Sequence, residues 1–267
     1  MSERVQRGKS QKVFVQRHGP SGERRRPDEV IVEEPLSIQL DGTLVATTMR
    51  TPGSDFELAV GFLHAEGMLG GAEVTSVRYC ADGSALETEF NVVTVETGGK
   101  APAPTPRLGS TSSSCGLCGA DAIDTLTERL EPLNRNPFDP QLLIEVVDTV
   151  RAGQELFAKT GAVHAAATFD RHGTIHLLRE DIGRHNAVDK IVGRMILDGQ
   201  DPTTSGTSDL GIYVSGRASF EMVQKAWAAG FGTIVSVSAP SALAIATAHA
   251  ANMQLAGFVR DGEINVY

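Results

Sequence analysis

The stretches that decide the fold are Val214-Ser-Gly-Arg-Ala-Ser-Phe-Glu-Met222 and Val237-Ser-Ala-Pro-Ser-Ala-Leu-Ala244. Each passes from a β-branched run through a short turn into a segment with the apolar spacing of a helix. The same alternation runs through the last third of the chain, where we predict helices at 185–198, 218–229 and 241–252 and strands at 210–215, 233–238 and 255–260. Strands that alternate with helices are typical of an α/β domain with a partly parallel sheet.

Composition divides the whole chain into four regions. We predict a disordered basic arm at 1–27, a β-rich N-terminal subdomain at 28–96, a mobile loop at 97–118 and an α/β domain at 119–267. The β-rich region has a hairpin turn at Asp41-Gly42 and a helix that Ser54 could cap. The loop is rich in Gly, Pro and Ser and low in bulky apolar groups, so it buries little surface. The α/β region opens with helices at 119–130 and 140–159.

Bulk composition and charge limit the function classes. A chain of 267 residues with 41% hydrophobic content can bury one large core or two smaller ones. No apolar run approaches the roughly 18 residues of a membrane span, and no signal peptide is evident, so we expect a cytoplasmic protein without membrane contact. Residues 1–27 carry eight Lys/Arg and two Asp/Glu, which leaves a net charge of −15 on the remainder. An acidic body argues against nucleic-acid binding.

Basic and small residues follow the predicted strands of the α/β region. Arg184 and His185 come after one strand, and Ser215, Gly216 and Arg217 come after the next one along the chain. Ligands of α/β sheets gather at the carboxyl ends of strands, where helix N-termini favour anions. These residues therefore predict a pocket for a phosphate-bearing ligand. The alternative, that each turn merely starts a helix, stays open at this point.

Cys115-Gly-Leu-Cys118 holds two of the three cysteines on the pliable loop. Structural zinc needs four ligands, commonly two such pairs, and the chain has one. A thioredoxin-type pair belongs directly after a strand, whereas a long loop precedes this one. An incidental buried pair is a poor fit because serines and glycines surround it, although Cys80, in a strand pattern, does fit a buried role.

A zinc deaminase pattern is the fourth alternative. His64-Ala-Glu66 followed by the cysteine pair imitates the H-x-E and P-C-x-x-C signature of zinc nucleoside deaminases. The match fails in detail, since Ser114 stands in the place of the proline and a Pro-rich loop separates the two halves. His64 also follows apolar residues on a core-facing helix, which favours a structural histidine. What remains is a mobile segment that presents a reactive thiol, as a carrier of a chemical group would.

Five blocks of sequence together carry a family resemblance. They are Ser114-Cys-Gly-Leu-Cys-Gly119, Thr160-Gly-Ala-Val-His-Ala-Ala-Ala167, Glu180-Asp-Ile-Gly-Arg-His-Asn-Ala-Val-Asp-Lys-Ile-Val-Gly193, Ser215-Gly-Arg-Ala-Ser-Phe-Glu-Met-Val-Gln-Lys-Ala226 and Gly257-Phe-Val-Arg-Asp-Gly-Glu-Ile-Asn-Val-Tyr267. With these blocks the chain, from about residue 28 onward, resembles the FdhD family of sulfur carriers required for formate dehydrogenase activity. The resemblance implies a cytidine-deaminase-like layered fold with a mixed sheet.

The resemblance also implies a reaction and its partners. A cysteine desulfurase would load a persulfide on Cys115, with Cys118 as a second thiol. The sulfur would pass to the molybdenum bis(molybdopterin guanine dinucleotide) cofactor, held as a bound substrate and destined for formate dehydrogenase, with no permanently bound metal. The family's cofactor segment corresponds to Phe258, Val259, Arg260, Asp261, Gly262 and Glu263, of which we favour the backbone N–H groups and Arg260 as ligand contacts.

Two functions from different classes stay open. The first is a sulfurtransferase in which Cys115 cycles between thiolate and persulfide. The second is a non-catalytic chaperone that binds the molybdenum cofactor and uses its thiols for docking. The sequence leaves the oligomeric state undetermined, with a homodimer among the alternatives.

Overall fold

Two sheets joined through a pair of helices organise the chain, and a hairpin precedes them. The computed structural model describes residues 8–20, 22–80, 84–104, 119–134, 136–200 and 209–267. The mixed α/β class predicted from the sequence is confirmed.

The hairpin is formed by β1 (Ser10–Gly19) and β2 (Gly22–Ile31), which pair antiparallel along their whole length. The predicted disordered arm at 1–27 is therefore wrong for the residues that lie in these strands. Cross-strand contacts stabilise them despite the high charge, since the guanidinium of Arg25 lies 4.6 Å from the ring centre of Phe14. The amino-acid composition of this segment shows its charge but gives no sign that the two strands pair.

The N-terminal sheet has the order β4-β3-β6-β5. Its strands are β3 (Glu34–Leu40), β4 (Thr43–Arg50), β5 (Ser76–Tyr79) and β6 (Val92–Glu96), and α1 (Asp55–Ala65) follows β4. Asp41 and Gly42 connect β3 to β4 with φ angles of 46° and 80°, the left-handed backbone that this hairpin turn needs. The inner face of this sheet packs its aliphatic side chains against α1.

The segment after this sheet begins in an ordered way. The predicted mobile loop starts at Thr97, whose amide and hydroxyl both donate to the carboxylate of Asp41. Residues 105–118 of that loop lie outside the described residues. The chain resumes with α2 (Gly119–Thr127), which packs beside the last helix of the protein.

A single helix was predicted over 140–159, and the structure divides it into two. These are α3 (Pro140–Gly153) and α4 (Glu155–Thr160), with Gln154 between them at a non-helical ψ of 78°. The carboxylate of Glu180 accepts the amides of Leu156 and Phe157, both at 2.8 Å. This side chain from a distant strand caps the second helix, so local helical spacing could not reveal the break.

The C-terminal sheet is mixed, with the order β12-β11-β10-β9-β7-β8. Its strands are β7 (His164–Phe169), β8 (Ile175–Asp181), β9 (Gly211–Val214), β10 (Thr233–Ser236), β11 (Gln254–Arg260) and β12 (Glu263–Val266). β9, β10 and β11 are parallel to one another, whereas β7 is antiparallel to both of its neighbours. β8 consequently runs in the same direction as the three parallel strands.

Helices cover both faces of this sheet. The helices α5 (Arg184–Leu197), α6 (Phe220–Ala228) and α7 (Ala242–Ala250) pack on one face, which includes Ile212 and Val214. α3 packs on the opposite face, against Tyr213 and Val235. Among the residues that the structure describes, no helix has the length and apolar content needed to cross a membrane.

The two sheets are joined where α1 crosses α5. A Cβ atom at Gly61 would lie 1.9 Å from the carbonyl oxygen of Asp189, and one at Gly193 would lie 1.8 Å from the carbonyl oxygen of Glu57. The two helix backbones are therefore in direct contact at glycine. This close crossing fixes α5, whose first residues enter the site described below.

Candidate functional site

The carboxyl ends of β8, β9 and β10 meet at one edge of the C-terminal sheet because these strands share a direction. Each is followed within a few residues by a helix, so the N-termini of α5, α6 and α7 lie along the same edge. Helix N-termini present unpaired N–H groups and a partial positive charge, which favour anions. The fold thus brings together, at one edge of the sheet, the strand ends where the sequence predicted an anion site.

Direct contacts hold these turns together. The hydroxyl of Ser236 donates to the carbonyl of Gly216 at 2.6 Å. A Cβ atom at Gly216 would lie 3.4 Å from Cδ of Arg184 and 3.5 Å from Nδ1 of His164. The structure therefore brings two predicted site residues, Gly216 and Arg184, against each other, and it adds His164 to them. Arg217, the next residue, is exposed at the start of the turn into α6.

A cavity of about 450 Å³ opens on the α3 side of the same edge. Its size lies within the range of small-molecule sites. It is lined by residues from α3, α4, the start of β7 and the carboxyl ends of β8, β9 and β10: Arg151, Gln154, Phe157, Gly161, Ala162, Val163, His164, Ile182, Tyr213, Ser215 and Val237. We call this cavity, together with Arg184 and Gly216 at its rim, the edge pocket.

Two largely buried residues with polar side chains, Gln154 and Tyr213, line the edge pocket. Gln154 is 5% exposed and Tyr213 is 1% exposed. Burial raises the pKa of Tyr213 to about 12, so its hydroxyl keeps its proton and can donate. These groups suit a ligand that carries both donors and acceptors.

His164 joins the cavity to the cationic rim. Burial lowers the pKa of His164, and the nearby Arg184 and His185 lower it further, so the imidazole is neutral at pH 7. The hydroxyl of Ser215 accepts the amide of Ala165 at 2.9 Å and lies 3.3 Å from Nδ1 of His164. The hydroxyl hydrogen can then point to Nδ1, which leaves the ring hydrogen on Nε2.

His185 links two helices at the rim. Its Nε2 lies 2.9 Å from a carboxylate oxygen of Glu221, in the first turn of α6. This hydrogen bond lowers the pKa of Glu221. His185, which the sequence placed among the ligand contacts, thus ties the start of α5 to the start of α6.

The predicted cofactor segment, residues 258–263, extends beyond the same edge. Phe258 has a φ of 56°, which is rare for an aromatic residue, and its amide donates to the carbonyl of Ser238 at 3.3 Å. Val259 is buried in the core on the α3 side, so its side chain faces away from solvent. Arg260 is exposed on β11, two strands from β9, a separation of about 10 Å at ordinary strand spacing.

The remainder of this segment forms the tight turn into β12. Asp261 has a φ of 53°, Gly262 has a φ of 77°, and Arg260 is paired in register with Glu263. All four residues are exposed. The segment therefore offers backbone groups and one guanidinium to a ligand at this edge.

Comparison with known proteins shows what the chain is related to. Residues 31–267 match the model of the FdhD/NarQ family. This protein belongs to the FdhD/NarQ family. A protein named sulfur carrier protein FdhD from Streptomyces avermitilis is 45% identical over 254 residues, which cover 91% of this chain and 88% of the relative. One of the same name from Nocardia farcinica is 45% identical over 259 residues, covering 95% and 91% of the two chains.

A solved structure shares the fold of this FdhD/NarQ chain. It is a crystal structure from Desulfotalea psychrophila, assigned as a formate dehydrogenase accessory protein, with a TM-score of 0.77 and 23% identity over 97% of each chain. At this identity the likeness concerns the fold alone. The cytidine-deaminase-like layering stays a prediction.

The cysteine pair of this family member, Cys115 and Cys118, lies outside the described residues, so its assignment stays a prediction. His64, the histidine of the deaminase-like pattern, does lie among the described residues. Its Nε2 is 2.8 Å from the carbonyl oxygen of Ala228. This contact ties α1 to the end of α6, which agrees with a structural role.

Sequence reasoning did not single out Gln154, Tyr213 or Arg151 as site residues. Gln154 falls in a stretch of helical spacing, and Tyr213 falls in a buried strand, so neither has a local signature. Their convergence depends on the helix break and on the strand order. A signal for His164 did exist, since it belongs to one of the five blocks that carry the family resemblance.

Proposed function

We propose that this protein is a sulfur carrier in the maturation of formate dehydrogenase. Cys115 holds the sulfur as a persulfide, and the edge pocket holds a guanine-bearing part of the molybdenum bis(molybdopterin guanine dinucleotide) substrate. The observation that supports the second half is the meeting of helix N-termini, arginines and the polar residues Gln154 and Tyr213 at one sheet edge. Membership of the family, with relatives named sulfur carrier protein FdhD, supports the first half.

Loading of sulfur needs a thiolate on Cys115. The thiolate attacks the outer sulfur of a persulfide on a cysteine desulfurase, the sulfur–sulfur bond of the donor breaks, and the donor cysteine leaves as a thiolate. The product is a persulfide on Cys115, with no net change in oxidation state. An ordinary cysteine, with a pKa near 8.5, is only partly ionised at neutral pH, so even a modest lowering of its pKa accelerates this step.

The edge pocket would hold the acceptor through complementary groups. Gln154 offers an amide donor and acceptor, and Tyr213 offers a hydroxyl, to the edge of a guanine ring. Phe157, with 45% of its surface exposed, can lie against a flat ring. Arg184 and Arg217, beside the N-termini of α5 and α6, can make charge-assisted bonds to phosphate, with Arg260 on the neighbouring segment.

Mass spectrometry of the intact protein tests the carrier role. After incubation with a cysteine desulfurase and cysteine, we expect the wild type to gain the mass of one sulfur atom and to lose it on treatment with a thiol reductant. Cys115→Ala should gain none. Cys80→Ala provides the matched control, because Cys80 is buried in the N-terminal sheet region and should be irrelevant to loading.

The alternative is a chaperone that holds the cofactor without carrying sulfur. The edge pocket alone would suit it, since none of the pocket residues is a cysteine. A chaperone would gain no sulfur in the same incubation yet would still bind the cofactor. Under either role we propose cytoplasmic action between a sulfur source and formate dehydrogenase.

A further inference from the structure

The turn between β8 and α5 is held by a residue of the other sheet region. Thr51 follows β4 and is completely buried. Its amide donates to Oδ2 of Asp181 at 3.2 Å, its hydroxyl oxygen accepts the amide of Ile182 at 3.0 Å, and its carbonyl accepts Nζ of Lys190 at 3.0 Å. All three polar groups of Thr51 therefore bond to the segment 181–190.

Asp181 organises the same turn from within. Its Oδ1 accepts the amide of Gly183 at 2.8 Å and Nδ2 of Asn186 at 2.9 Å, while its Oδ2 lies 2.7 Å from Nζ of Lys190. Neither Asp181 nor Lys190 is more than 2% exposed. Removing one partner of a buried ion pair leaves an uncompensated charge, which is strongly destabilising. The side chain of Thr51 can therefore be changed while the ion pair stays intact.

The turn held in this way is part of the edge pocket. Ile182 lines the cavity, and Arg184, two residues on, lies against Gly216 at its rim. Thr51 itself does not line the cavity. A change at Thr51 can therefore reach a ligand only through the backbone of the turn.

We infer that Thr51 is a positioning residue for the edge pocket: its hydroxyl fixes the backbone at Ile182 and thereby places Arg184 for an anionic group of the ligand. The N-terminal sheet region thus takes part in forming the ligand site. This inference rests on the proposed function, because it takes the pocket to bind a nucleotide-bearing ligand.

Calorimetric titration with GDP tests the positioning role. Thr51→Val keeps the shape of the side chain and removes the acceptor of the Ile182 amide. We expect it to bind GDP about tenfold more weakly than the wild type, as the loss of one hydrogen bond predicts. Thr51→Ser retains the hydroxyl and should bind nearly as tightly as the wild type.

Thr97→Val is the matched control. Thr97 is equally buried in the same sheet region, and its hydroxyl oxygen accepts the amide of Ala101 at 3.0 Å. This variant should melt at a lower temperature than the wild type while its GDP affinity is unchanged. Wild-type affinity in Thr51→Val, equal weakening in Thr97→Val, or failure of Thr51→Ser to restore binding would overturn the inference.

A second measurement separates this inference from the proposed function. If the wild type binds no GDP, the proposed nucleotide site is wrong. The pKa of the His164 ring then serves as the test of the positioning role of Thr51. The titration of this ring, followed by NMR, depends on Arg184 and His185, which the turn carries. A displaced turn in Thr51→Val should shift the midpoint relative to the wild type and to Thr97→Val. In that case an unchanged midpoint would overturn the inference.

Discussion

At the scale of single residues, the stability of the protein depends on the protonation state of His164. The pKa of His164 is lowered from its usual value of 6.5, chiefly by burial, so the native protein binds fewer protons than the unfolded chain in the region below pH 6.5. Acidification through that region therefore lowers the free energy of unfolding. The loss that this histidine causes is reversed as the pH rises to 6.5. We expect His164→Gln to show a flatter dependence of the free energy of unfolding on pH in the range just below pH 6.5.

Urea unfolding of the wild type and His164→Gln at several pH values measures this difference. NMR titration of the His164 ring supplies the direct check. A midpoint at or above 6.5 in the wild type, or parallel pH profiles for the two proteins, would contradict the argument.

Arg217 is the residue at which charge and geometry can be separated. It is exposed beside the N-terminus of α6, and its planar guanidinium can bind phosphate through two parallel bonds. Arg217→Lys keeps the charge and loses that geometry, so we expect GDP binding to weaken by about 1–2 kcal/mol. Binding by the wild type should also weaken as salt rises, because part of the attraction is screened.

Arg78→Lys is the control for this change in a calorimetric titration. Arg78 is more than half exposed and pairs with Glu96 at 3.0 Å in the N-terminal sheet, away from the edge pocket. The GDP affinity of Arg78→Lys should equal that of the wild type. Equal affinities for wild type and Arg217→Lys would remove Arg217 from the site.

At the scale of elements, local signals predicted the alternation of the last third correctly. Turns such as Ser215-Gly216 combine strand, cap and helix signals in adjacent residues, and tertiary packing agrees with them. The break at Gln154 was missed because its cause, the carboxylate of Glu180, belongs to a strand more than twenty residues away. The β1–β2 hairpin was missed because a charged composition resembles that of a disordered arm.

Some residues of the candidate site could also be predicted from the sequence, and others could not. Residues that follow strands, such as Arg184 and Gly216, could be predicted because alternating strands and helices place the residue after each parallel strand at the carboxyl edge of the sheet. Gln154 and Tyr213 could not, because their convergence depends on how α3 and α4 pack on the sheet. Thr51 could not, because its three bonds span about 130 residues of sequence.

The crossing of α1 and α5 gives a prediction at this scale. Gly61→Ala would place a methyl group within 1.9 Å of a backbone oxygen, so the helices must separate. We expect a loss of about 3 kcal/mol or more in the free energy of unfolding, at the upper end of overpacking effects. Gly19→Ala is the control, since a Cβ there would meet no atom within 4 Å, and urea unfolding of both variants provides the measurement. A loss below about 1 kcal/mol in Gly61→Ala would show that the helices separate at little cost.

At the scale of the whole molecule, the basic charge is concentrated in the N-terminal segment, whereas the hydrophobic core is formed by the rest of the chain. The first 27 residues hold a net charge of +6 on an otherwise acidic protein. The residues of the three hydrophobic clusters all come from position 36 onward. The family match likewise begins only at residue 31. The hairpin therefore adds basic charge to the molecule while contributing no residue to the clusters.

Removal of residues 1–27 tests this division. The truncation takes away all of β1 and most of β2, and it changes the net charge of the chain from −9 to −15. Because none of the removed residues belongs to the clusters or lines the edge pocket, we expect the free energy of unfolding at moderate salt to change by no more than about 1 kcal/mol, with GDP affinity preserved. At low salt the truncated protein should be less stable than at moderate salt, since greater net charge increases self-repulsion. Circular dichroism during urea unfolding at two salt concentrations measures both effects, and a large loss of stability at moderate salt would mean that the hairpin shields part of the core.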